Sequence, residues 1–591
     1  MTLLSMHKVL GLALGLTLVG VGSHGQTTVP TPDVVETAHV NVVNVEAFVT
    51  GRDGRPVRGL RREDFELLED GKPVVVTNFA VFAGPELPTA PARPPEGTPP
   101  PASPVPETPG ATPEPRNPAP EEMLSLVIYV DNSNISLSRR NEVYGHLRTL
   151  LPRLLEDGRT QVMMVSGGSS VRIRQAFTAN LGELTASLDG LEHEAAEGGG
   201  TSGADTSMLS RLMDHTSMAD GSPANPASEQ INTLLLQARS AAQAEYERTR
   251  AMLRTMTQFV SSLSGLAGRK VMFYVGKGLP MRPGEEMLQK FEALYGNTGV
   301  APGFSAAMET SRFNMTELFR DFTRQANAGK ITVYCVEATG DSGRNATAEQ
   351  TVMTTDPSIQ TGSGMGLRQS LDIMAGATGG LTISSGGSLG STLARAVDDL
   401  GAYYSLGFTP SHGHDGAFHT LKVRIKGASV SVRARDGYMD VSTDDRMAAC
   451  SLAGLLFNLA PNQLGAGISV KPEGHAKGDA YAVTVLVTIP LDKLVLQPRG
   501  DAHEASVSLW FASLEAGNRV SQLKKQVFEI RIPNDKLLTA LGQAAGYTFR
   551  LNLRRGQHKV AVSLRDDLGE VEATLTADFS VGEDAAGPAP S

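Results

Sequence analysis

The chain has 591 residues, too many for one ordinary domain, so three or four folded units joined by linkers are expected. Hydrophobic residues make up 40% and charged residues 20%, the composition of soluble domains with real cores. The 63 acidic and 53 basic side chains leave a formal charge of −10, and no extended basic run occurs, which excludes a broad nucleic-acid or anionic-membrane surface.

Lys8 precedes an apolar run from Val9 to Val21, and Ser23 and Gly25 supply small residues before a polar stretch. These are the parts of a secretory signal peptide, predicted over 1–25 and implying export to the periplasm or beyond the cell. The run is too short to span a bilayer comfortably, no cysteine beside the cleavage point offers a lipid anchor, and no later stretch reads as a transmembrane helix.

Alternating valines from Val40 to Val49, a turn at Gly51–Gly54, an apolar run from Phe65 to Leu68 and an Asp70-Gly71 turn predict a small all-β domain over 37–83. Proline then recurs from Pro85 to Pro120, which makes 84–121 a linker of extended character.

From 122 to 404 strand and helix patterns alternate. Leu124 to Val130 is a continuous apolar run ending at Asp131, the mark of a strand buried on both faces of a parallel sheet. Helical periodicity follows from Val143 to Leu155, then a strand at Gln161–Ser166 and an edge strand at Val171–Phe177. A Gly/Ser-rich loop runs from Gly198 to about Ala227, before a long amphipathic helix from Ala238 to Leu266. Strands at Val271–Val275, Ile331–Val336 and Leu381–Ser384 alternate with helices at Phe313–Ala328, Leu367–Ala377 and Leu389–Leu400. Such alternation predicts a doubly wound sheet with helices on both faces, whose ligands bind beyond the carboxyl ends of its strands. A β extension over 405–440, a β-sandwich over 452–582 and a disordered tail over 583–591 complete a multidomain α/β plus all-β architecture. Cys335 and Cys450 are expected to be separate thiols, since they belong to different modules.

H-E-x-x-H does not occur, so the zinc-hydrolase signature is missing. His412, His414 and His419 cluster about the turn Ser411–Gly416. Their spacing matches no metal-ligand pattern, so a solvated turn is preferred to a transition-metal site. The glycines at Gly198–Gly203 and Gly386–Gly390 lack the Lys-Ser/Thr ending of a phosphate loop and read as flexible connections.

The strand ending in Asp131-Asn132-Ser133-Asn134-Ile135-Ser136 resembles the start of a von Willebrand factor A domain, whose first strand ends in DxSxS. Arg269–Pro280, Ala328–Tyr334, Ala375–Gly380, Tyr403–Pro410, Arg433–Tyr438 and the earlier Gly59–Lys72 extend the match. In that order they resemble the VWFA-related proteins of acidobacteria, over about Val40 to Tyr438. The resemblance implies a von Willebrand factor A-like sheet flanked by small β domains and a role in binding another protein.

In metal-binding members of that fold a divalent cation is held by the Asp and both serines of DxSxS, a Thr from a second loop and an Asp from a third. Asp131 and Ser133 match here, Ile135 replaces the second serine, and Ser136 is one residue out of register. Thr201 and Thr206 are the candidates for the threonine, and Lys277 stands where relatives carry the last Asp. An ammonium there repels a cation. The implied site is therefore a metal-free relic in which Lys277 pairs with Asp131. Asp131, Ser133, Ser136 and Lys277 would then face a protein partner in the cell envelope or outside the cell. A Mg²⁺ adhesion site on Asp131 and Ser133 is the competing reading, and a secreted hydrolase using Ser133 the lesser one.

Overall fold

The computed structural model describes residues 42–52, 55–82, 123–132, 134–135, 137–156, 158–168, 170–193, 228–296, 304–338, 357–383, 389–413, 415–427, 430–457, 461–476, 480–515 and 519–582. The signal segment 1–25, the proline-rich 84–121, the tail 583–591, the glycine loop with Thr201 and Thr206, and Ser133, Ser136 and His414 lie outside the described residues.

Strand β1 (Val43–Thr50) buries Val43, Val45, Ala47 and Val49, as alternation requires of a half-buried strand. Three short strands follow, β2 (Phe65–Glu69), β3 (Lys72–Val74) and β4 (Asn78–Phe82), with Asp70 and Gly71 both at positive φ in the tight β2–β3 turn.

The α/β region then runs β5 (Leu124–Asp131), α1 (Leu137–Leu155), β6 (Thr160–Gly167), β7 (Arg172–Thr178), α2 (Leu181–His193), α3 (Ser228–Ser262) and β8 (Arg269–Gly276). It continues through α4 (Glu285–Tyr295), α5 (Ala306–Ser311), α6 (Thr316–Ala328), β9 (Ile331–Glu337), α7 (Pro357–Ala377), β10 (Thr382–Ile383) and α8 (Leu389–Gly401). The sheet has the order β10-β9-β8-β5-β6-β7, parallel throughout except for the antiparallel edge strand β7. One face packs Leu126, Ile128 and Val130 against α1, α2 and α8; the other packs Val127, Tyr129 and Met272 against α3, α6 and α7. Burying one aliphatic side chain of this kind stabilises by about 1.5–3 kcal/mol, so these inner strands anchor the region. The chain leaves β5 for β6 on one side and reaches β8 on the other. The carboxyl end of β5 is thus the point where the winding reverses, the usual place for a binding crevice.

After this region come β11 (Tyr403–Phe408), β12 (Phe418–Ile425), β13 (Ser431–Arg433) and β14 (Gly437–Met439). Here the expected division into a domain at 37–83 and an extension at 405–440 is corrected. Strand β11 lies between β1 and β4, and β12 between β14 and β2, so two four-stranded sheets form across the whole intervening chain. Their shared core holds Val45, Phe65, Leu67, Leu406, Phe408, Leu421 and Val423. Neither half could cover its own apolar face, because β1 and β4 do not pair with each other and β2 has only the short β3. The α/β region is an insertion into one sandwich.

Arg269 fastens the insertion to that sandwich. Its guanidinium lies 4.3 Å from the Tyr403 ring centroid and 5.6 Å from that of Phe48, its Nε is 3.3 Å from Glu46 Oε1, and Nη1 donates to the Leu400 carbonyl. Arg433 bridges in the same way to Asp399.

The interval after 440 carries no strand pattern and is a helix, α9 (Thr443–Phe457). Its Ala453 and Phe457 enter the α/β core, and Leu455 packs on Ala512 and Ala561 of the last region. That region is a second sandwich. Gly467–His475, Ala480–Pro490 and Ala544–Arg554 form one sheet, and the long strand Ala502–Glu515 pairs with Lys524–Pro533 and Gly556–Asp566 in the other. Val485, Val487, Leu509, Phe511, Val560 and Val562 lie between them. Cys335 and Cys450 are both free thiols. Among the described residues no helix is long and apolar enough to cross a membrane.

Candidate functional site

Asp131 closes β5 at the crest of the parallel sheet and is 2% exposed. Its Oδ2 accepts hydrogen bonds from Tyr274 Oη at 2.6 Å and Asn134 Nδ2 at 3.0 Å, while Oδ1 has no hydrogen-bond partner. Tyr274 arrives from β8, directly opposite Tyr129 of β5, and the two rings stack at 5.9 Å with planes 20° apart. Glycines at the strand ends make room for these rings. A Cβ on Gly167 would lie 2.0 Å from the Tyr129 hydroxyl oxygen, and one on Gly276 would lie 2.9 Å from that of Tyr274.

The described residues just beyond β5 are also buried. Asn132, Asn134 and Ile135 are buried, and the Asn134 amide reaches Met252 Sδ of α3 at 3.9 Å. Beside it Arg140, also buried, donates from Nη1 to Asn132 Oδ1 at 2.8 Å and from Nη2 to the Glu192 carbonyl at 3.2 Å. Burial holds the Asp131 carboxyl above the usual carboxylate range, against the lowering effect of the Tyr274 and Asn134 hydrogen bonds and the positive charge of Lys277. Burial, then the nearby Asp131 charge, pushes the Tyr274 phenol well up, so it stays a donor.

Lys277 is half-buried and forms no ion pair with Asp131; it acts on the carboxylate only through its field. The expected Lys277–Asp131 pair is therefore replaced by hydrogen bonds from Tyr274 and Asn134. The physical reason lies in the turn that carries the lysine. Gly278 adopts φ +89°, and the Leu279 N–H then donates to Ser370 Oγ at 3.1 Å, fixing the path of the chain after β8. Of the four residues expected on a partner-facing crest, Asp131 is inaccessible, Lys277 is half-accessible, and Ser133 and Ser136 lie outside the described residues.

Asp131, Asn134 and Tyr274, the described residues at this crest, do not by themselves make a shell for a divalent cation. One orphaned carboxylate oxygen is a single ligand where hard cations take about six oxygens. The surrounding groups are a phenol and an amide that donate, with an ammonium beyond them. Sequence reasoning finds Asp131 but misses Tyr274 and Asn134. The available signal was the repeat of Tyr129-Val130-Asp131 in Tyr274-Val275-Gly276, two strand ends of equal length in register.

A second polar cluster lies at the edge of the split sandwich, where the His412–His419 turn was expected to be solvated. His419 is 8% exposed and its ring stacks on that of His412 at 4.0 Å. The turn is corrected to a half-buried network, because Glu69 and Asp70 come to it from the other half of the sandwich.

No family model matches the chain, and no curated protein does. Among solved structures it is similar to the conserved hypothetical protein BatB from Bacteroides thetaiotaomicron, at 10% identity over 47% of this chain and 96% of that one, with a TM-score of 0.21. It is similar to proximal thread matrix protein 1 from the mussel byssus with a zinc-occupied MIDAS motif, at 11% identity over 47% of this chain and 48% of that one, TM-score 0.21. A mutant of the PilB minor pilin from Streptococcus sanguinis is similar at 11% identity over 49% of this chain and 63% of that one, TM-score 0.23.

Proposed function

We propose that this chain is an exported, non-catalytic binding scaffold. Its α/β region, read as von Willebrand factor A-like on the sequence resemblance, contacts a protein in the cell envelope or outside the cell without a metal ion. The observation that carries this reading is the closed crest. Asp131, the one described residue shared with a cation site of that fold, is buried and hydrogen-bonded by Asn134 and Tyr274. Among the described residues this crest offers no open cradle for a partner's carboxylate. The contact surface then begins at Lys277 and the exposed Arg282.

The test is crosslinking of the full chain in its native host, with capture compared in the presence and absence of a chelator. Capture of one partner that is indifferent to chelator and weakened by Lys277→Glu is the expected result. Capture that requires Mg²⁺ and is lost in Asp131→Ala overturns the metal-free reading. Turnover of an ester, peptide or glycoside by the purified chain overturns the non-catalytic one.

A further inference from the structure

We propose that Glu69, His412 and His419 form a binding site for a divalent transition-metal cation of the zinc type, which staples together the two halves of the split sandwich. Glu69 ends β2, His419 lies on β12, and His412 stands in the connection between β11 and β12. One ligand atom from each lies within 4.8 Å of the others. His412 Nε2 and Glu69 Oε1 are 3.3 Å apart. That is close to the edge of a tetrahedron whose metal–nitrogen and metal–oxygen bonds are about 2.0–2.1 Å.

The groups behind these ligands already orient them. His412 Nδ1 lies 3.1 Å from the Gly413 carbonyl and 3.4 Å from Asp440 Oδ2, and His419 Nδ1 lies 2.8 Å from Asp70 Oδ2. An imidazole that donates its Nδ1–H to a carbonyl or carboxylate leaves the Nε2 lone pair free, which is the arrangement that supports metal-binding histidines. Tyr438 Oη donates to Glu69 Oε1 at 2.6 Å and fixes that carboxylate. Asp415 Oδ1 lies 3.3 Å from His419 Nε2, at the margin of the three-residue site.

Charge points the same way. Four carboxylates, of Glu69, Asp70, Asp415 and Asp440, converge on two imidazoles, and Glu69 and Asp440 are buried. Among the described residues no lysine or arginine forms an ion pair with Glu69, Asp70 or Asp415. Buried charge needs a counter-charge, and a dication supplies it without a long side chain. Imidazole with carboxylate suits zinc, nickel or copper rather than magnesium or calcium. The rings are stacked with planes 16° apart, so a shared ion makes them splay until both nitrogens point at it. Because the ligands come from the segments on either side of the α/β insertion, an ion that binds only the folded sandwich stabilises it.

The experiment uses the full chain, freed of metal with chelator and titrated with Zn²⁺ by calorimetry and with Co²⁺ by visible absorption. One equivalent of Zn²⁺ is expected to bind and raise Tm, and Co²⁺ is expected to give the intense absorption of a tetrahedral centre. His412→Asn and Glu69→Gln should each weaken binding by about tenfold or more, while His475→Gln, on a strand of the other sandwich, should not. Circular dichroism of each variant establishes that it is folded. Should a variant fail to fold, the wild-type Co²⁺ spectrum decides. The proposal is overturned if the wild type binds no Zn²⁺ saturably, if Co²⁺ gives only an octahedral spectrum, or if binding is unchanged in folded His412→Asn and Glu69→Gln.

Discussion

Tyr274 donates its hydroxyl hydrogen to Asp131 Oδ2 across 2.6 Å, from the strand alongside, and so fills at the sheet crest the role that sequence reasoning gives to Lys277. A buried acceptor stripped of its donor costs about 1–3 kcal/mol. Tyr274→Phe is therefore expected to lower the urea midpoint by an amount in that range, leaving Asn134 alone on the carboxylate. Asp131→Asn keeps an acceptor for Tyr274 and removes a buried charge, so it should cost less. Equal losses in the two variants would show that the hydrogen bond contributes nothing specific.

Arg269 makes a different kind of prediction, because it joins two regions rather than two strands. Its guanidinium sits between the Tyr403 and Phe48 rings and beside Glu46, with only 11% of its side chain exposed. Removing one member of a buried pair leaves the other charge uncompensated, at a cost of about 3–5 kcal/mol. Arg269→Ala should lower stability by that order and split the calorimetric unfolding of the split sandwich and its insertion into two transitions. A single transition at the wild-type temperature would refute this.

Lys270, the next residue, carries a pH dependence. Its Nζ donates to the Leu266 carbonyl at 2.6 Å, and the side chain is buried. Burial, with the charges of Lys330 and Arg435 and against those of Cys450 and Glu46, pulls its pKa from 10.5 down to about 7. Between those two values the unfolded chain binds more protons, so the stability contribution of this site rises with pH across that window. Below it the ammonium is charged in both states and the penalty is complete. Lys270→Met should thus raise Tm most at about pH 6, with the gain shrinking steadily toward about pH 10. A gain that is constant over that range would show that the lysine titrates normally.

The sequence makes β5 and β8 easy to find, since a strand buried on both faces reads as an unbroken apolar run. It does not reveal that Val43 pairs with Phe408 or Leu67 with Val423. Side-chain alternation tells which face of a strand is buried, not which strand lies beside it, and so the split sandwich looked like two separate pieces. The crest was half legible for a related reason. Asp131 is conspicuous as a charge ending an apolar run, whereas Tyr274 reads as core until its acceptor on the neighbouring strand is known. His412 and His419 looked like turn residues because Glu69 and Asp70, the groups that bury and orient them, precede the whole insertion.

The segment Ala375–Gly380 was legible only as part of a resemblance, and its glycines have opposite roles. Gly380 follows Thr378, whose Oγ1 accepts from the Val333 N–H at 2.9 Å, and a Cβ on Gly380 would lie 1.9 Å from the Val333 carbonyl oxygen. Backbone cannot yield as a side-chain tip can, so Gly380→Ala must push β9 away from the end of α7 and should cost about 1–3 kcal/mol, as overpacking does. Gly376 stands on the exposed side of α7, and a Cβ there would meet nothing within 4 Å. Alanine exceeds glycine in helix propensity by up to about 1 kcal/mol, so Gly376→Ala should stabilise by a fraction of that near the helix end. Chemical denaturation of the two variants is expected to move the midpoint in opposite directions. An unchanged or raised midpoint in Gly380→Ala would mean that close packing at Val333 does not require Gly380, and a lowered one in Gly376→Ala would refute the helix-propensity argument.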